Sequence, residues 1–183
     1  MENSIKPAEL IQKSVDARYF RFRAIVITSI YVVAVVLIAL VCLLNTDDSM
    51  ASTYTDIMAV SIAINSFMCL PLIFYYFGTL IHLTRHTENY RFYDVLLNKP
   101  YSDMRHSFYF AVEIQDENGD TVCINTNTVF RIDSIWEQPI EEYINKTAQI
   151  AYDKTNNRIV VIQINTKQEN TQQYLSTHKE ETL

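Results

Sequence analysis

His82 and His86, four residues apart in the run HLTRH, come closest in this chain to the spacing of a chemical site. Residues at i and i+4 share a helix face, which is how two histidines can grip one zinc ion. The hydrolytic zinc motif also needs a glutamate directly after the first histidine, and Leu83 stands there. With Arg85 the pair closes a long apolar run, where cations complement the negative helix end and sit among lipid headgroups. We therefore read His82, Arg85 and His86 as membrane anchors and assign no metal.

Other reactive residue types give structural readings. The three cysteines form no Cys-x-x-Cys pair, which argues against zinc and disulfide frameworks. Cys123, between Val122 and Ile124, reads as an inert strand residue. Only Gly78 and Gly119 exist, so neither a Walker loop nor a dinucleotide fingerprint can be built. No Ser or Cys sits in a nucleophile elbow. Ser134 and Glu137 fit a capping box, and Glu141 and Glu142 a solvated face. Trp136, at a corner before Gln138-Pro139, suits a core plug or a partner contact. We assign no catalytic residue and no cofactor, and expect no enzyme.

The elements that carry these residues begin with two charge-free runs. Ala24 to Leu44 is 21 residues and Ile57 to Leu83 is 27. At about 1.5 Å per residue either helix crosses a hydrocarbon core of about 30 Å. The first is rich in Val and Ile, but in lipid the backbone must satisfy itself, so helix overrides strand propensity. Its apolar core is too long for a cleaved signal peptide. Pro71 and Gly78 should kink or tilt the second. Ser61, Asn65 and Ser66 can hydrogen-bond between the two helices. No acid, Lys or Arg lies inside either run, which argues against a proton relay or pump.

The charge of −6 divides unevenly. Residues 1–23 carry +2, 45–56 carry −3 and 84–183 carry −5. An acidic C-terminal part lacks the basic footprint that nucleic acid requires. Arg18, Arg21 and Arg23 precede the first run, Arg85 and Arg91 follow the second, and the connecting loop has no base. The positive-inside rule then places both termini in the cytoplasm of a plasma (inner) membrane protein, with 45–56 as an acidic external loop. In residues 1–23, Ile11, Val15, Tyr19 and Phe22 recur at helical spacing, so we expect an interfacial helix with Arg21 and Arg23 as anchors.

After residue 84 the period changes to two. Tyr90, Phe92 and Leu96 alternate with Arg91, Tyr93 and Val95; Phe108, Phe110, Val112 and Ile114 alternate with Tyr109, Ala111 and Glu113. Asn118-Gly119 marks a hairpin whose return strand is Thr121–Thr126. Val129–Ile132 is a further extended piece, and Pro139 starts a short helix. Thr147–Asp153 and Arg158–Ile164 form a last hairpin, with Asn supplying the left-handed turn. The run Ile159–Ile162 is apolar on both faces, which predicts a central strand. Residues 166–183 have little to bury.

Together these predict a membrane α-helical hairpin plus a small mostly-β soluble domain, an SH3-like or OB-like barrel spanning 84–165. A helical hairpin, a strand pair meeting at Asn118-Gly119 and a final hairpin reading IAYDKTNNRIVVI resemble a loose group of uncharacterised bacterial membrane proteins. In these, two or more helices precede a small cytoplasmic β-barrel. The layout is also similar to membrane-anchored OB proteins of the NfeD type, without their glycine-rich strands. The resemblance implies a tether and supplies no catalytic residues. We expect a protein that binds or regulates a protein partner in or at the membrane, a second copy of itself included. Tyr90, Phe92, Tyr93 and Trp136 would supply the contact. An alternative is an immunity protein against a toxin or bacteriocin, acting through the outer loop or the spans.

Overall fold

The structure, a computed structural model, describes residues 7–44, 51–85, 87–103, 106–115 and 119–165. His86, the Asp116–Asn118 turn and residues 166–183 lie outside them. The chain forms two units. One is Phe20–His82; the other joins the residues up to Tyr19 with those from Leu83 onward.

The first unit is a hairpin of two helices, α2 (Val15–Leu44, from Phe20 on) and α3 (Ala51–Thr84). Each is long and apolar enough to cross a membrane. Because α3 begins at Ala51, six residues, 45–50, join the helices, a shorter link than the expected loop. The helix continues unbroken through Pro71. A Cβ on Gly78 would meet nothing within 4 Å, so this glycine serves no close helix approach. Half-buried residues recur at i, i+3 and i+4: Thr28, Tyr31, Val35, Ile38 and Cys42 on α2, and Asn65, Ser66, Cys69, Ile73 and Tyr76 on α3. That seam is where the helices meet. Tyr31 Oη and Ser66 Oγ lie 3.0 Å apart, and Phe20 packs on Tyr76 at 6.2 Å. Outside the seam, residues such as Val33, Val41, Phe67 and Phe74 are exposed.

The second unit is mostly β. Among the described residues eight strands form two sheets and not the closed barrel that strand number alone suggested. One sheet has the order β1 (Tyr90–Leu97), β7 (Lys146–Asp153), β8 (Arg158–Ile164). The other has the order β2 (Pro100–Asp103), β3 (Ser107–Gln115), β5 (Phe130–Arg131), β6 (Gln138–Pro139), with β4 (Thr121–Asn125) also on β3. In β3, Phe110, Val112 and Ile114 are buried, as period two demands. They share the core with Phe130, which packs edge-on to Phe110 (5.1 Å) and to Tyr143 (4.9 Å). Gly119 has φ +82° and Asn157 φ +47°, the left-handed turn residues of the two hairpins. The expected short helix is the 3-10 turn Ile140–Glu142 behind Pro139.

Two further expectations change. The first concerns the N-terminal stripe. Ser14 caps α2, its Oγ accepting the Ala17 N–H at 3.1 Å, and separates it from α1 (Pro7–Gln12). Ile11 and Val15 are fully buried and Tyr19 nearly so, and all three belong to the β unit. These apolar positions are thus packed within the β unit. The second concerns β8, which among the described residues is an edge strand paired only with β7. Its residues Ile159–Ile162 are buried on both faces nonetheless. Side chains cap its open edge. Asp16 Oδ2 accepts the Val161 N–H at 2.7 Å, and Asn127 Nδ2 donates to Ile159 O at 3.1 Å. Asn127 Nδ2 also donates to Asp16 Oδ1 at 2.6 Å. Two backbone groups of that edge, the Val161 N–H and Ile159 O, are thereby satisfied.

Candidate interaction surface

The four residues proposed for partner contact divide among three environments. Tyr90 is buried at 6% exposure, its register partner is Asp153, and it takes a core position. Burial pushes its phenol upward, while the neighbouring Arg158 guanidinium pulls it down. Phe92 is half-buried. Tyr93 lines a shallow cleft of about 310 Å³ with Glu88, Arg91, Tyr152 and Lys154. Antiparallel pairing sets Arg91 directly opposite Tyr152, which brings the two phenols and two cations to one end of the β1–β7 ladder. The sequence placed Tyr93 there but missed Tyr152 and Lys154, because only the strand register joins them.

Strand β1 also inverts its burial. Tyr90 is inward at its start, Val95 and Leu97 at its end, and Leu96 is 55% exposed where the sequence put it on the apolar face. A second hollow of about 470 Å³ follows, lined by Leu96, Lys99, Tyr101, Glu113 and Cys123. Tyr101 stacks on Tyr109 at 5.7 Å, and Lys99 Nζ sits 5.9 Å from the Tyr101 ring centre. Cys123 is an exposed strand residue opposite Glu113.

Trp136 is 74% exposed, so it plugs no core. Ile135 beside it is 85% exposed and Ile132 46%. The turn that presents them is braced from beneath. Arg131 Nε donates to Glu137 Oε2 at 3.0 Å, with both side chains mostly buried. Glu137 N–H donates to Ser134 Oγ at 2.9 Å, so Ser134 closes a turn and caps no helix. Asp133 takes φ +46°. Arg131 Nη2 also donates to Tyr19 Oη at 3.1 Å.

No protein family, curated protein or solved structure matches this chain. Among the described residues no group of three His, Cys, Asp or Glu side chains could hold a metal ion. Of the proposed anchors, Arg21, His82 and Arg85 are exposed and Arg23 is half-buried, while His86 lies outside the described residues. The Tyr93 cleft holds neither cysteine, serine nor histidine. It presents two phenols, two cations and the Glu88 carboxylate.

Proposed function

We propose that this chain is a non-enzymatic integral membrane protein whose helical hairpin holds the β unit at the cytoplasmic face of the plasma membrane, where the unit binds a protein partner. One observation carries the reading. The β unit is assembled from both flanks of the hairpin, Tyr19 and earlier residues on one side and Leu83 onward on the other. Flanks that fold together must lie on the same side of a bilayer, which supports two spans and not one. The basic residues Arg18, Arg85 and Arg91 around them favour the cytoplasmic side. Tethering raises the unit's local concentration toward partners in the same membrane, and the Tyr93 cleft is the surface offered to them.

Cysteine accessibility tests this in a chain whose three native cysteines are replaced by serine. Ser52→Cys should label from outside intact cells and Thr155→Cys only after lysis; outside labelling of Thr155→Cys would reverse the orientation. A photo-crosslinking residue at Tyr93 should then trap a partner in membranes, and Arg91→Glu should abolish the adduct. Adducts from 45–50 with none from Tyr93 would favour the immunity reading instead.

A further inference from the structure

We infer that the turn Ile132–Trp136 is a membrane-contacting tip, seated in the interfacial layer of the bilayer that the helices cross. The inference rests on the helices' spanning a membrane as proposed above. Ile132, Ile135 and Trp136 are the large apolar side chains this turn gives to solvent, 46%, 85% and 74% exposed. A soluble surface does not gain from such a cluster, whereas Trp and Ile together suit the boundary between headgroups and acyl chains. Their presentation is built in. The Arg131–Glu137 pair and the Ser134 turn brace the segment from beneath, and the left-handed backbone at Asp133 turns the chain between them.

Reach is set by chain connectivity. Arg131, at the base of the turn, hydrogen-bonds Tyr19, and Tyr19 stands five residues before Ala24, where the charge-free run begins. Even fully extended, five residues cover only about 18 Å. The turn is thus leashed close to the bilayer surface. Carboxylates within and beside the turn limit its depth. Asp133, Glu141 and Glu142 line the hollow beside Ile135 and are exposed, so they keep the base of the turn in water. The contact is therefore shallow, made by the indole and the two isoleucines alone.

Trp136 is the only tryptophan, so its fluorescence reports on this site alone. The full chain is reconstituted in phosphatidylcholine vesicles. Resistance of the protein to alkaline extraction first tests whether the helices span the bilayer. In the chain that passes, Trp136 emission should be blue-shifted, and quenched more by lipids brominated near the headgroup than by lipids brominated near the chain end. Ile135→Asp should restore red, aqueous-type emission and remove most lipid quenching, with extraction resistance unchanged. Emission of a water-exposed indole in the integrated chain, quenched by iodide and not by brominated lipid, would overturn the inference while leaving the spans intact. Blue emission insensitive to both quenchers would overturn it in favour of a protein or a second copy covering the turn.

Discussion

The carboxylate of Asp16 accepts the backbone N–H of Val161 at 2.7 Å, from a position 145 residues away in the chain. It is fully buried, and its other oxygen takes the amide of Asn127, which also holds Ile159 O. One carboxylate and one amide thus close the free edge of β8 and fasten the start of α2 to the sheet. Edge closure by a buried acid suits a strand whose both faces are apolar, since an open edge there would invite pairing with another chain.

Asp16→Ala should therefore destabilise the β unit by about 2–3 kcal/mol, because it leaves the Val161 N–H buried without its acceptor. Asn127→Ala should cost about 1–2 kcal/mol by stranding Ile159 O. Unfolding of the detergent-solubilised chain and hydrogen exchange at the Val161 amide measure the two effects. An Asp16→Ala chain with wild-type stability and a protected Val161 amide would show that the contact fastens nothing.

The same residue makes a pH prediction. Burial pushes Asp16 from 3.8 up to about 6, with the hydrogen bonds from Asn127 and Val161 opposing. The folded state thus holds this proton more tightly than the unfolded chain. Its contribution to stability is full below about pH 4 and is lost as pH rises through about 6. At about 1.4 kcal/mol per pKa unit the loss is roughly 3 kcal/mol. Relative to Asp16→Asn, which cannot titrate, the wild-type melting temperature should fall across that window. Parallel pH profiles for the two chains would contradict it.

Within the hairpin, Tyr31 Oη and Ser66 Oγ are 3.0 Å apart, and Asn65 Nδ2 reaches Tyr31 O at 3.5 Å. Interhelical hydrogen bonds in lipid contribute about 0.6 kcal/mol on average. Tyr31→Phe and Ser66→Ala should each weaken the hairpin by about that amount, and the double variant by no more than either alone. Unfolding of the chain in mixed micelles completes the cycle. Strictly additive losses would mean that the two hydroxyls do not bond.

Much of this architecture was legible in the residues. The two helices, the Asn157 and Gly119 turns and the inward face of β3 follow from hydropathy and alternation, and the burial of both faces of β8 from its unbroken apolar run. Trp136 and Tyr93 could be named as surface candidates, but Tyr90 could not be told from them, since its burial depends on which face of β1 is covered at that end. The inversion within β1 has no signature in a period of two.

Sequence alone determined what is local: two uncharged stretches of bilayer length, strand segments from alternation, and turns from Asn and Gly. Tertiary structure decided what depends on distant partners. It packed Ile11 and Val15 within the β unit, made β8 an edge closed by Asp16 and Asn127, and turned Trp136 outward. The reason is physical. A side chain's own chemistry sets what it needs, an acceptor or an apolar wall. Which group supplies it, 111 residues away for Asp16 and Asn127, is settled only when the chain has folded.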